Sequence, residues 1–383
     1  MNARVPRRSF VAPHLEDRRV IVVCGPGGVG KTTTSAALGL RAAMQGRRVL
    51  VLTIDPARRL AEAMGVPANS DEPTRVDPAR FAAAGIEVPG ELYAWMLDPG
   101  TVFDGMVRRL TKDPTKVDEI MKNRLYRHVK NLVAGMQEYT AAEALYSFVE
   151  SKRFDLVVLD TPPSRNALDF LDAPRRLSSF LDERIVSIFL PKGGGFFRAA
   201  SQLVESVFAR IFGDGFFKEL QGFLSAFSGM FDGMREHAVK VRTLLGSDES
   251  TFLIVTGMEP EAVSESLFFR AKLRELGVGF AGYILNRSWA YTRGLMPPAT
   301  LEGLVPAETL AKFVTFGQEE ARRAKMDRAR LQTLLAQDIG AEALATPNLG
   351  GAVEDLAGLA LLADELGFHH EDERPSSSHP IVE

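Results

Sequence analysis

The feature of this sequence that most constrains its fold is an apolar run that leads directly into a glycine-rich loop. Val20 to Cys24 (VIVVC) is short, continuous and rich in β-branched residues, as expected of a strand buried on both faces of a parallel sheet. The sequence GPGGVGKTTT follows at residues 25–34, and a helix-forming stretch that includes Ala36 and Leu38 comes next. Strand, glycine loop, Lys-Thr and helix in this order constitute a P-loop, a motif that binds nucleotide phosphates.

Each part of this loop has a physical reason to be there. Glycines let backbone N–H groups approach phosphate oxygens without a Cβ in the way, and the helix N-terminus adds the positive end of its dipole. Lys31 is predicted to reach the β- and γ-phosphates, and the Thr32 hydroxyl to complete a Mg²⁺ shell. The loop residues expected to surround the phosphates are Gly27, Gly28, Val29 and Gly30.

Two acidic residues follow predicted parallel strands. Asp55 comes just after the run from Val49 to Ile54, and Asp160 follows the run that begins at Leu156. Ligands of open α/β sheets bind at the carboxyl ends of the strands, so both acids are candidates for holding Mg²⁺ through water or for activating water. Each could instead be a turn-forming residue at a strand end. Two such acids beside a P-loop favour the functional interpretation.

The segments around these acids resemble a known family. Asp55-Pro-Ala and DTPPSRNALDFL, residues 160–171, are similar to switch I and switch II of the deviant-Walker ATPases in the arsenite-pump and tail-anchored-protein-targeting group. The resemblance spans about residues 18–290, and it extends to a bacterial subgroup of anion-transporter-like ATPases that often has a companion paralogue. It implies that Asp55 orients or deprotonates the attacking water and also contacts Mg²⁺ through water, that Asp160 holds Mg²⁺ through water, and that Thr33 contacts the α-phosphate.

A later segment supplies a candidate for recognition of the base. Two further strands are predicted at residues 252–256 and 280–285, with a helix between them, and the second ends at Asn286. The resemblance places an adenine-reading Asn at this position, and an amide offers both a donor and an acceptor. The sequence has no N-K-x-D motif for guanine, which favours ATP over GTP. A plain strand-end turn residue is the alternative interpretation of Asn286.

One position departs from the family pattern. Members that act as symmetric homodimers read GKGGVGKT, and their first lysine reaches across the dimer to the other subunit's phosphates. Pro26 stands there in this chain and has neither a charge nor an N–H. Three hypotheses stay open: a heteromer in which a paralogous ATPase donates its lysine, compensation by Arg58, Arg59 or Arg165, and a slow ATP-binding switch.

Phenylalanine is concentrated in one segment. Ten of the 24 phenylalanines lie within 43 residues, from Phe189 to Phe231. In the resembled family, the region between switch II and the next strand forms a hydrophobic groove for clients. The resemblance therefore implies a hydrophobic or membrane-associated client, whereas a core shared by packed insertion helices is the alternative.

Composition excludes several other classes. A single cysteine rules out a disulfide framework, a zinc finger and an iron–sulfur cluster within one chain, and it argues against the metalloid chemistry of the arsenite-pump members. A net charge of −3 argues against a protein that coats nucleic acid. The sequence also lacks an apolar run of about 18 residues, so neither a transmembrane segment nor a location outside the cytoplasm is expected.

The predicted fold class is α/β, a doubly wound and mainly parallel sheet with helical insertions that form a subdomain. A single P-loop domain is expected over residues 17–367, with insertions at about 101–151 and 172–245, between a disordered arm (1–16) and a disordered tail (368–383).

The predicted function is a Mg²⁺-dependent ATPase, as a homodimer or as a heteromer with a paralogous ATPase, that couples ATP-driven closure to client binding. The alternatives are a slow ATP-binding regulatory subunit of a hetero-oligomer and a partition-type positioning ATPase. Residues 288–344 have no assigned role.

Overall fold

The chain divides into two compact units. A computed structural model describes residues 7–54, 59–67, 70–111, 113–123, 125–126, 130, 137–161, 233–234, 236–290, 303–349, 353 and 355–369. The first unit comprises Met1–Met96, Phe154–Arg165 and Ser247–Glu383, and the second comprises Leu97–Arg153 and Asn166–Gly246. Within the described ranges the first unit holds the β-strands, and the second is helical.

The strands and helices are numbered along the chain. The strands are β1 (Arg7–Arg8), β2 (Val20–Cys24), β3 (Arg48–Thr53), β4 (Thr74–Arg75), β5 (Glu91–Met96), β6 (Leu156–Asp160), β7 (Ser250–Thr256), β8 (Phe280–Ser288), β9 (Ala343–Pro347) and β10 (Phe368–His369). The helices are α1 (Val11–Asp17), α2 (Lys31–Met44), α3 (Arg59–Met64), α4 (Pro78–Ala83), α5 (Pro99–Leu110), α6 (Pro114–Lys122), α7 (Gln137–Glu150), α8 (236–245), α9 (Pro260–Leu276), α10 (Ala307–Gln337) and α11 (Leu356–Gly367).

The first unit is built on one large sheet. Among the described residues, eight strands pair in the order β4-β5-β3-β6-β2-β7-β8-β9, and every pairing is parallel except that of β4 with β5. The three central strands, β6, β2 and β7, are buried at every residue. Their continuous apolar sequences suit strands that are covered on both faces. The predicted α/β class with a mainly parallel sheet is confirmed.

The sides of β2 show how the sheet is covered. Ile21 and Val23 point to one face and belong to the same core cluster as Leu38 of α2. Val20 and Val22 alternate with them and therefore point to the opposite face, where they are also fully buried. Helix α2, which the P-loop enters, thus packs directly on the strand that precedes the loop.

Helix α1 corrects the predicted disordered arm. Val11 and Leu15 lie four residues apart on one helix face, and both are fully buried in the core of the first unit. Upstream of the helix, Arg7 pairs with His369 in a separate two-stranded ribbon of β1 and β10. The prediction of disorder over residues 1–16 was therefore wrong for residues 7–16, because charged neighbours obscured two core positions at helical spacing. The paired residue His369 likewise lies within the predicted tail.

Two helices of the second unit, α5 and α6, begin at aspartate caps. The Asp98 carboxylate accepts a hydrogen bond from the Thr101 backbone N–H (2.6 Å) at the start of α5, and Asp113 accepts from the Thr115 N–H (3.0 Å) at α6. Such caps satisfy backbone donors that have no partner within the helix. Across the described parts of the chain, no helix is both long and apolar enough to cross a membrane. The phenylalanine-rich segment lies outside the described residues.

Candidate functional site

The P-loop joins β2 to α2, and its shape depends on three glycines with positive φ. These φ angles are +141° at Gly25, +75° at Gly28 and +92° at Gly30. A Cβ at Gly25 would lie 2.0 Å from the carbonyl oxygen of Val255 in β7, so no other residue fits between the two strand ends. These three glycines are therefore favoured by the backbone of the folded chain itself.

Lys31 lies within the loop that precedes it. Its side chain is 6% exposed, and Nζ donates to the carbonyl oxygens of Gly25 (3.0 Å) and Pro26 (2.7 Å). The ammonium group is thus held at the loop by neutral backbone acceptors. Pro26 contributes one of those carbonyls, so in this chain position 26 serves as an acceptor for the loop's own lysine.

The register of three central strands builds the next part of the site. Asp160 at the end of β6 pairs with Val23 of β2 on one side and Thr53 of β3 on the other. The buried Asp160 Oδ2 accepts hydrogen bonds from the hydroxyls of Thr32 (2.6 Å) and Thr53 (2.8 Å). A hydroxyl and a carboxylate side by side are hard oxygen donors, the kind that Mg²⁺ prefers. The residues present therefore fit a Mg²⁺ ion.

A cavity of about 670 Å³ opens beside the loop. Its walls come from the P-loop, the segment after β7, the first turns of α9, the end of β8, the middle of α10 and the residue after β9. They carry both cationic and anionic side chains. The lining residues are Pro26, Gly27, Gly28, Val29, Gly257, Met258, Glu259, Glu261, Ala262, Glu265, Asn286, Arg287, Trp289, Asp327, Arg330 and Asn348.

Asn286 stands where the cavity meets the loop. It is near the end of β8 and only 6% exposed. Its Nδ2 donates to the carbonyl oxygen of Val29 (2.8 Å), and its Oδ1 accepts from the Thr346 hydroxyl of β9 (3.0 Å). The structure therefore brings the predicted base-binding residue into direct contact with the predicted phosphate-binding loop.

Helix α10 holds the segment that follows Asn286. The Asp327 carboxylate accepts from the Trp289 backbone N–H (2.8 Å) and from the Ser288 hydroxyl (3.3 Å). The Arg323 guanidinium lies 5.7 Å from the centre of the Trp289 ring, within cation–π distance. Trp289 therefore forms a fixed part of the cavity wall. Sequence reasoning missed it, although a tryptophan three residues after a candidate binding residue was an available signal.

The structure describes only some of the other residues that the sequence predicts for the site. Thr33 lies in the first turn of α2 and is partly exposed. Asp55, Arg58 and Arg165 lie outside the described residues, and Arg59 is described only as the first residue of α3. The sequence also gave no reason to select Thr53, because a threonine at the end of an apolar strand is common.

Cys24 lies at the end of β2, just before the loop. It is fully buried, and its thiol donates to the Leu253 carbonyl at an S···O distance of 3.6 Å. Burial raises the pKa of Cys24 to about 12, although the nearby positive charge of Lys31 acts in the opposite direction. The thiol is therefore neutral near physiological pH, and its place in the fold is that of a small apolar residue.

A parallel sheet with a P-loop after its central strand, and a Thr–Asp pair beside that loop, defines the class of P-loop nucleoside triphosphatases. Comparison with known proteins narrows this class. The model of the anion-transporting ATPase family matches residues 18–292, well over half of the chain. The chain belongs to the anion-transporting ATPase family.

Individual relatives are similar at modest identity. ATPase GET3B of Arabidopsis thaliana is 27% identical over 321 residues, which are 80% of this chain and 69% of that protein. ATPase ASNA1 homolog 1 of Paramecium tetraurelia is 30% identical over 165 residues, 43% of this chain and 46% of that protein. ATPase get3 of Schizosaccharomyces pombe is 30% identical over 166 residues, 42% of this chain and 45% of that protein. The chain thus aligns with less than half of the latter two.

Proposed function

We propose that the chain binds ATP with its phosphates on the P-loop and its base and ribose in the adjoining cavity, and that it hydrolyses ATP with Mg²⁺. The observation that carries this proposal is the contact between Thr32 of the loop and Asp160, which are 128 residues apart in sequence. A helix N-terminus favours negative charge, but a buried carboxylate and a phosphate bound there would repel each other. A cation between the carboxylate and the phosphate removes this repulsion. The contact therefore supports a site for a metal–nucleotide complex.

Thr32 and Asp160 are the residues that would hold Mg²⁺, Asp160 through water. Bound there, Mg²⁺ would supply positive charge to the phosphate oxygens. Thr53 donates to the same carboxylate oxygen as Thr32, so it keeps the Asp160 side chain in place. This arrangement gives Thr53 a supporting role.

Lys31 provides the second positive charge. Its ammonium group donates to two neutral carbonyls, and a negatively charged phosphate oxygen attracts an ammonium more strongly than a neutral carbonyl does. When a nucleotide binds, Lys31 would exchange these acceptors for the β- and γ-phosphates and stabilise the negative charge that develops there.

Asp55 would position the attacking water. It follows β3 by two residues, and the last residue of β3, Thr53, contacts Asp160. The assignment of Asp55 depends on this sequence position together with the family resemblance. Asp55→Asn is expected to keep ATP affinity while turnover falls.

Equilibrium binding of Mg²⁺-ATP and the rate of phosphate release test the proposal. Lys31→Ala is expected to weaken binding or turnover on the order of 10²-fold or more, because a charge-assisted contact is lost. Asp160→Asn should abolish the dependence of ATP binding and phosphate release on Mg²⁺. Lys312→Ala is the matched control, since Lys312 is an exposed lysine paired with Glu308 on α10. If Lys31→Ala and Lys312→Ala have the same activity, the proposed site is wrong.

We further propose that the chain works as a homodimer or with a paralogous ATPase, and that ATP-driven closure is coupled to binding a hydrophobic client. Family membership and the phenylalanine-rich sequence of residues 189–231 support this role. Pro26 favours a heteromer, because its side chain has no charge to offer a partner. ATPase rates of the chain alone and mixed with a paralogue that carries the first lysine test this, and no gain on mixing argues against the heteromer.

A further inference from the structure

Asn286 uses both ends of its side-chain amide within the protein. A backbone carbonyl only accepts hydrogen bonds, so the end of the amide that faces Val29 has to be the NH₂ group. The oxygen end then faces Thr346, whose hydroxyl can donate to it. These two contacts connect β9 to the P-loop through β8, and they fix the orientation of the amide. One N–H and one lone pair of Asn286 remain for other partners.

The contact with the loop is close. A Cβ added to Gly30 would lie 2.2 Å from Asn286 Nδ2, so the amide fills the space next to the last glycine of the motif. Gly30 has a φ of +92° and is the N-cap residue of α2. The amide therefore packs against the point where the loop turns into the helix.

The hydrogen bond to Val29 also determines the direction of a neighbouring donor. The Val29 carbonyl and the Gly30 N–H belong to one trans peptide group, in which the C=O and N–H bonds point in opposite directions. When Asn286 holds the carbonyl on its own side, the Gly30 N–H points away from Asn286. Backbone N–H groups of such a loop are the donors that cradle phosphates.

We infer that Asn286 is a positioning residue: it orients the Val29–Gly30 peptide so that the Gly30 N–H faces the phosphates, and Thr346 holds its amide in place. This role rests on the proposed function, which puts the phosphates on the P-loop. It differs from reading the base, because a positioning residue contributes to the binding of any polyphosphate, whereas a base reader contributes only when a base is present.

The test compares Mg²⁺-ATP, Mg²⁺-GTP and Mg²⁺-tripolyphosphate, which has no base, by calorimetry on the full chain. Asn286→Ala is expected to weaken all three by a similar factor of about ten, the effect of one hydrogen bond of about 1.4 kcal/mol. Asn286→Asp should weaken them more, because a carboxylate would face the Val29 carbonyl. Asn123→Ala, in the other unit, is the control of matched residue type and should change none of the three affinities.

A milder variant keeps the test valid if Asn286→Ala does not fold. Thr346→Val has nearly the same shape and removes only the hydroxyl, so it should weaken the three ligands equally by about threefold. Unchanged tripolyphosphate binding together with a lost preference for ATP over GTP, in either variant, would overturn the inference and leave Asn286 as a base reader alone. If the wild-type chain binds none of the three ligands, the proposed function itself fails, and the inference fails with it.

Discussion

The two units of the chain bury polar groups for different purposes. In the sheet unit, the fully buried Asp160 lies at the end of a strand, where it contacts Thr32 and Thr53. In the helical unit, the buried carboxylate of Glu143 lies in the middle of α7 and pairs with Arg109 of α5 and with His237 of α8 (3.0 Å). Strand ends can offer buried polar groups to a ligand, whereas a charge in the middle of a helix serves to connect helices.

This difference has consequences for stability. The central strands are held by backbone pairing and apolar burial, which respond little to ionic strength. The pair of Arg109 with Glu143 depends on charge, and the Arg109 side chain is 38% exposed while that of Glu143 is 1% exposed. We therefore expect the sheet unit to be more resistant to unfolding than the helical unit. Four measurements examine this comparison.

The largest effect is expected at Cys24. Since its pKa is raised to about 12, its thiolate fraction near pH 8 is roughly 10³-fold below that of an ordinary cysteine, and burial slows access further. A thiol reagent should therefore label the native chain at least about 10³-fold more slowly than the chain in concentrated guanidinium chloride. Because Cys24 is the only cysteine in the sequence, absorbance of the released reagent reports on this site alone. Labelling within tenfold of the unfolded rate would mean that the central strand opens readily.

A substitution at Gly25 should damage the sheet unit more than one at Gly28. Gly25→Ala combines a positive φ with a contact to the Val255 carbonyl, so we expect a loss of about 3 kcal/mol in the free energy of unfolding. Gly28→Ala is the matched control: its φ is also positive, but a Cβ meets no atom within 4 Å, and a loss of about 1 kcal/mol is expected. Urea unfolding followed by circular dichroism measures both. Equal losses would show that φ alone determines the cost.

The helical unit should be sensitive to loss of its buried carboxylate. Glu143→Ala leaves Arg109 and His237 without their shared partner, and we expect a loss of about 2 kcal/mol, less than for a fully buried pair because Arg109 is partly exposed. Glu150→Ala, on the exposed end of the same helix, should cost less than about 0.5 kcal/mol. Thermal unfolding measures both variants. Equal midpoints for Glu143→Ala and Glu150→Ala would contradict a stabilising contact at Glu143.

The smallest effect is expected at His14 of helix α1, in the sheet unit, when the pH is lowered. Burial lowers the pKa of His14, Arg18 lowers it further, and Asp17 opposes this. The folded state therefore favours neutral His14, and the unfolded chain takes up a proton at higher pH. The contribution is intact above a pH of about 6.5 and is lost as pH falls toward the lower folded pKa.

We expect this loss to be well below about 1 kcal/mol, because His14 is only half-buried and solvent screens its charge. His14→Gln should remove it, so the difference in stability between the wild-type and the variant should change as pH falls below about 6.5 and stay constant above about 7. An identical pH dependence for the two proteins would contradict the assignment.

Much of the sheet could be predicted because its strands are simple. The runs at Val20 and Leu156 are apolar without interruption, and parallel strands buried on both faces need that pattern. Strand β9 was not predicted, since Ala343 to Pro347 has no aliphatic β-branched residue; it joins the edge of the sheet by pairing with β8. Helix α1 was missed because charged neighbours obscure its two core positions, Val11 and Leu15.

The site could be predicted only in part. Lys31, Thr32 and Asp160 were identified because the motifs name them, and the structure places the Thr32 hydroxyl 2.6 Å from a carboxylate oxygen of Asp160. Their roles stay predictions. Their supporting partners, Thr53 and Thr346, could not be found in the same way. Each is a threonine near the end of a strand, and its role depends on which strands are neighbours, information that no local sequence pattern contains.

The link from Thr346 through Asn286 to Val29 has a consequence for folding while the chain is being synthesised. The glycine loop leaves the ribosome well before the side chains that hold it, which come 257 residues after Val29 and a further 60 residues after Asn286. Chains are made from the N-terminus, so the loop lacks these contacts until synthesis has passed Thr346. A truncated chain that retains the complete motif would therefore lack the contacts that orient it.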